Sequence, residues 1–119
     1  MKVVHIVEAL EGGVYTYFKD LSAYFGDEEI SKNIETTIIY SSNRNGVSTQ
    51  KVNAEFSKGI NLIHLDMVRE ISLAKDLKSI VKLIQELKKI NPDIIHLHSS
   101  KAGILGRISS FPLFKKTKL

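Results

Sequence analysis

Four short runs rich in β-branched and apolar residues punctuate this chain: "KVVHIVEAL" (2–10), "IETTIIY" (34–40), "GINLIHLD" (59–66) and "DIIHLHS" (93–99). Segments able to form helices separate them. A run that is apolar at nearly every position, rather than at every second one, belongs to a strand covered on both faces. Strands of that kind alternating with helices dictate a parallel sheet with right-handed crossovers. The expected class is α/β: a Rossmann-like parallel sheet with helices on both faces.

The helices follow from spacing. Behind Gly12-Gly13, residues Val14, Tyr17, Phe18, Leu21 and Phe25 recur at steps of three and four, and Gly26 stands where that helix should stop. "SSNRNG" (41–46) carries turn chemistry, and "VSTQKVNAEFSKG" (47–59) is weakly helical. The longest periodic segment is 70–90. It places Leu73, Leu77, Ile80, Val81, Ile84 and Leu87 on one face, and Asn91-Pro92 ends it. Beyond the fourth run, "KAGILGRISSF" (101–111) reads as a further helix and "FKKTKL" as the opening of a fifth strand.

At 119 residues the chain has the length of one domain. It has no cysteine, which excludes disulfides and thiolate metal sites. No apolar run approaches the ~18 residues of a membrane-spanning helix. "MKVVHIVEAL" is broken by His5 and Glu8 and lacks a small-residue cleavage site, so it reads as a strand and not a secretory leader. A cytoplasmic location is the expectation.

The net charge of +4 is unevenly spread. Residues 1–98 hold 12 Lys/Arg against 13 Asp/Glu, whereas 99–119 hold Lys101, Arg107, Lys115, Lys116 and Lys118 and no acid. Such a tail suits phosphates or an anionic membrane surface, or simply stays in water. Nothing alternates aromatic and basic residues as a nucleic-acid platform does, so no nucleic acid is expected as a partner.

Ligands of open α/β sheets bind beyond the carboxyl ends of the strands. Three places qualify: the loop at Glu11, Gly12 and Gly13, the loop from Ser41 to Gly46, and His98-Ser99-Ser100. The first runs straight into a helix, whose N-terminal N–H groups attract anions, and residues without Cβ let a phosphate come close. "EGGV" lacks the spacing of a dinucleotide fingerprint or a P-loop, and a tight turn explains two glycines equally well. His96 and His98, two apart on a strand, face the same side. With no third ligand evident near them, no metal is expected. His5, His64 and His96 read as core or strand-end histidines. His98, at the carboxyl end of its strand, can hydrogen-bond a sugar hydroxyl or act as acid or base. Ser99, Ser100 and Lys101 suit either a helix cap or an anion contact. Tyr15, off the apolar face of the first helix, is the exposed aromatic to note. A response-regulator site would need an acidic cluster after the first strand, and a dinucleotide site an acid after the second. Neither is present.

"VVHIVEALEGGVYTYFKDL" followed by "NPDIIHLHSSKAGILGRI" resembles the N-terminal domain of family 4 glycosyltransferases of GT-B fold, with capsular and exopolysaccharide enzymes of bacteria nearest. The resemblance covers essentially the whole chain. It implies two facing Rossmann-like domains, with the acceptor received by this one and most of the nucleotide-sugar donor held by the other. It assigns Gly12 and Gly13 to the loop against the donor phosphates and the reacting sugar; Val14 beside them and Ser99, Ser100 and Lys101 after the fourth run complete the expected substrate-binding set. His98 matches the histidine that contacts the donor sugar and is the catalytic candidate. The resemblance also implies transfer with retention and no cofactor or metal.

The family continues past "FPLFKKTKL" into more of the N-terminal domain and then the donor domain. The expectation is that residues 1–119 are one incomplete acceptor-side domain, inactive alone. Its partners would be a nucleotide sugar and a glycan or lipid-linked acceptor, with peripheral membrane contact and a homodimer through an exposed sheet edge. The alternative is a non-catalytic Rossmann-like module that pairs with a partner subunit or a membrane.

Overall fold

The computed structural model describes residues 1–7, 10, 12–41, 49–65 and 73–98. The predicted helix over 101–111, the fifth strand, the loop 42–48 and residues Ser99, Ser100 and Lys101 lie outside them. The elements run β1 (Lys2–Val7), α1 (Gly12–Phe25), α2 (Glu28–Ser31), β2 (Glu35–Tyr40), α3 (Thr49–Glu55), β3 (Asn61–His64), α4 (Leu73–Ile90) and β4 (Ile94–Leu97). All four strands pair in parallel, in the order β3-β2-β1-β4.

Side chains alternate across the sheet, and each face has its own core. On one side Val4, Ile6, Ile39 and Ile95 pack with Leu83 and Leu87 of α4. On the other, Val7, Ile38 and Tyr40 pack with Phe18 of α1 and with Val52, Phe56 and Ile60. This is why the strands read as continuous apolar runs: both of their faces are covered.

The order 3-2-1-4 has a consequence for ligands. From β1 the chain steps to β2 and on to β3, then returns past β1 to β4. The strand order therefore reverses between β1 and β4, and in open sheets of this class ligands bind at the carboxyl ends of the strands at such a reversal.

Several expectations need correction. The first run forms a strand only to Val7, and the third only from Asn61 to His64. Helix α2 was not anticipated, although Asp27 announces it: its carboxylate accepts the Glu29 N–H at 3.1 Å, a regular N-cap. The weakly helical stretch does form a helix, α3. On α4 the inward stripe is Ser79, Leu83 and Leu87, with Ile80 and Ile90 beside it, while Leu77 and Val81 point outward at 63% and 47% exposure. The buried face includes Ser79, a polar residue that an apolar count passes over.

Gly26 does follow the last residue of α1, but its role is spatial. A Cβ there would meet Ser57 Oγ, and a Cβ on Gly59 would meet the backbone oxygen of Gly26, so two chain segments touch where only glycines fit. Asn91 ends α4 with φ 53°, and its N–H donates to Leu87 O at 2.8 Å. Asparagine is among the few residues that tolerate this left-handed cap.

Candidate functional site

Backbone pairing builds the site. His5 of β1 and His96 of β4 are register partners on adjacent strands. One residue beyond β4, the His98 N–H still donates to Ile6 O at 3.0 Å, which extends the ladder and fixes where its side chain starts. At the other end of the same pair, Asp93 is clamped twice: its N–H donates to Lys2 O, and its carboxylate accepts the Lys2 N–H, both at 2.8 Å. The β1–β4 register that brings the histidines together is thus locked from below.

The three imidazoles form one cluster. His96 and His98 lie tilted against each other with ring centroids 3.9 Å apart, and His5 is 5.4 and 5.1 Å from them. His5 Nδ1 and His98 Nε2 share a hydrogen bond of 2.9 Å, one ring donating and the other accepting according to tautomer. Helix α1 supplies the wall. Buried Phe18 meets His98 edge-on at 4.6 Å and His5 at 6.1 Å, and exposed Tyr17 approaches His98 at 6.2 Å.

Burial, then the neighbouring charges of His98 and His96, lowers the His5 pKa to about 4. Burial and then His96 lower that of His98 to about 4 as well. Both rings are therefore uncharged at neutral pH. His98 can donate to or accept from a sugar hydroxyl, but it carries no positive charge to offer a phosphate.

Gly13, the second residue of α1, is exposed, and a Cβ there would meet nothing within 4 Å among the described residues. Its backbone is not left-handed either, so nothing among the described residues calls for glycine at this position. Tyr17 stands one helical turn further along the same stripe, about 6 Å along the axis. Tyr17 thus links Gly13, one turn before it, to His98, whose ring lies 6.2 Å away. Val14, beside Gly13, is 44% exposed.

Two expectations about individual residues change here. The third imidazole near His96 and His98, not evident from local sequence, is His5, brought in by the β1–β4 pairing. Tyr15 is not the free aromatic: its hydroxyl donates to Glu55 Oε2 at 3.0 Å, its ring packs on Phe56, and Lys51 Nζ lies 4.9 Å from its centroid. The exposed aromatics of α1 are Tyr17 and Tyr24. His64 ends β3 against Tyr40, apart from the cluster. A groove lined by Lys2, Glu35, Asn61 and Lys89 lies at the amino ends of the strands, the opposite end from the histidines. The carboxyl ends, at the reversal of strand order between β1 and β4, are where this fold class binds ligands.

A parallel sheet whose order reverses between β1 and β4, with a histidine able to bond a sugar hydroxyl at that reversal, has the layout of ligand-binding α/β domains. The family model described as glycosyl transferase 4-like matches residues 28–115, and the chain belongs to that family. Over 44 residues it is 57% identical to the Escherichia coli UDP-Gal:alpha-D-GlcNAc-diphosphoundecaprenol alpha-1,3-galactosyltransferase, a match covering 37% of this chain and 11% of that enzyme.

Among solved structures it resembles the apo lipopolysaccharide outer core galactosyltransferase WaaB, with a TM-score of 0.66 and 19% identity over 92% of this chain and 29% of that one. It also resembles a putative UDP-N-acetylglucosamine 2-epimerase from Listeria monocytogenes, with a TM-score of 0.68 and 18% identity over 98% and 30%. The chain thus spans under a third of the length of these proteins. That a transferase and an epimerase both match shows that the fold alone does not select the reaction.

Proposed function

We propose that this chain is the acceptor-side domain of a glycosyltransferase that moves a sugar from a nucleotide-sugar donor to a lipid-linked or polysaccharide acceptor. The observation that carries the proposal is uncharged His98 at the carboxyl ends of β1 and β4, walled by Phe18 and Tyr17 of α1, the helix that begins with Gly12-Gly13. Family membership supports the reaction class, and the galactosyltransferase relative makes UDP-galactose the first donor to try.

The chemistry divides between the two walls. The N–H groups at the start of α1 offer partial positive charge to a donor phosphate, and Gly13 leaves the approach clear. Because His5 holds His98 Nε2, a sugar hydroxyl meets His98 through Nδ1. Orienting the sugar this way lowers the barrier by fixing the reacting carbon against the acceptor. We further propose that the nucleotide sits on a second Rossmann-like domain, in the same polypeptide or a partner, and that residues 1–119 alone do not transfer sugar. The reaction would take place on the cytoplasmic side, where nucleotide sugars are made. Capsule or exopolysaccharide assembly is the proposed setting.

The test is sugar transfer by the enzyme in which this domain works with its donor domain. His98→Ala should lower kcat/KM by about 100-fold, as loss of a positioned polar group does. Gly13→Val should do the same by blocking close approach. Undiminished turnover in both variants would refute the site.

A second reading rests on Leu77 and Val81, one turn apart on the outer face of α4 with Lys78 and Lys82 adjoining. In it, the domain docks on a membrane or partner without chemistry. Salt-sensitive binding to anionic vesicles, lost in Leu77→Glu, would favour it.

A further inference from the structure

The structure assigns a second ligand to the histidine cluster: we propose that His5, His96 and His98 form a three-imidazole site for a divalent ion that prefers nitrogen ligands, Zn²⁺ first among them. One ligand nitrogen from each ring can be chosen so that all three lie within 4.8 Å of one another. Their origin makes the arrangement stiff. Two come from alternate positions at the end of one strand, and the third from the register partner on the neighbouring strand. The backbone bond from His98 N–H to Ile6 O holds the pair of strands together at that level.

The distances suit an ion. With Zn–N bonds of about 2.0–2.1 Å, two tetrahedral nitrogens stand about 3.3 Å apart. His5 Nδ1 and His98 Nε2 are at 2.9 Å, so the ion takes the place of the proton they now share and the rings part slightly. His96 is exposed and can turn inward without repacking. A hydrogen bond satisfies two of the three converging nitrogens, whereas a metal ion satisfies all three. Three imidazoles and no thiolate favour Zn²⁺, Co²⁺, Ni²⁺ or Cu²⁺ over Mg²⁺ or Ca²⁺, which prefer oxygen. Phe18 closes one side of the cluster, leaving the remaining coordination to water or a ligand.

The site stands whether or not the sugar-transfer reading holds, and its test needs no enzymatic assay. The untagged, chelator-stripped 119-residue chain is titrated with Co²⁺ and followed by visible d–d absorption. One equivalent should develop the bands of a four- or five-coordinate ion, and Zn²⁺ should then abolish them. His96→Asn, at an exposed position that folding tolerates, should lose the bands with an unchanged circular dichroism spectrum, and His64→Asn should keep them. A wild-type chain that stays colourless, or bands that survive His96→Asn in a folded protein, would overturn the assignment.

Discussion

The two ends of the sheet are built on different terms. At the amino ends the fold itself accounts for the conspicuous polar groups and glycines. Asp93 clamps Lys2, the N-terminal ammonium donates to Asn33 O at 2.9 Å, and Glu35 N–H donates to Met1 O. Ser22 Oγ accepts Ser57 N–H and donates to Lys19 O, tying the last turns of α1 to the segment before β3. Gly26 and Gly59 are there because nothing larger fits. At the carboxyl ends, Gly13 has open space, Tyr17 stands in water, and three basic rings crowd together at a cost in acid stability. One end is accounted for by the fold, and the other carries the proposed site.

This contrast can be broken by substitution. The largest effect should come from Gly59→Ala, because its Cβ would run into the backbone of Gly26, which cannot swing aside. A loss of about 3 kcal/mol in urea denaturation is expected. A loss under a third of that would mean the contact relaxes cheaply.

Next is Asp93→Ala, which frees the Lys2 N–H and loosens the β1–β4 register. We expect about 1–2 kcal/mol of destabilisation. Because that register assembles the histidines, the same change should also weaken Co²⁺ binding. An unaltered cobalt spectrum would uncouple the two ends.

Acid should then separate them by a different route. With metal chelated, His5 and His98 titrate at about 4 in the folded chain and near 6.5 when unfolded. Below the unfolded value the unfolded chain binds more protons, so stability is full above pH ~6.5 and falls as pH drops towards ~4. The urea midpoint of wild type should fall across that window, and His98→Gln should reduce the fall. An equal slope in both proteins would place the acid sensitivity elsewhere.

The smallest effect is expected at Gly13→Ala. Alanine is the better helix former, so stability should be unchanged or rise by up to about 1 kcal/mol. A clear loss of stability would show that the fold, and not a ligand, requires this glycine.

Much of this architecture was legible in the sequence because it depends on local pattern. The four strands, α1, the end of α4 at Asn91 and the position of His98 at a strand's carboxyl end all follow from runs and spacings within a few residues. What escaped depends on distant contacts. His5 looked like an ordinary core histidine because strand order, not local pattern, makes it a neighbour of residues 91 and 93 positions away. Tyr15 was misjudged because Glu55, which binds its hydroxyl, lies 40 residues on. The stripe of α4 is shifted from the apolar count because its buried face includes polar Ser79. Helix α2 has no buried residue and so no apolar signal; only its Asp27 cap betrayed it.

The pairing of β1 with β4 also sets an order of events. β1 is the first described element to be synthesised and β4 the last, and the contacts joining them span 91 to 93 residues. Until β4 docks, β1 can pair only with β2, and its other edge stays unfilled. Contacts this remote in sequence form late and slowly. The histidine cluster therefore does not exist until β4 has been made: it appears with the docking of that strand, and anything that binds the cluster holds that docking in place.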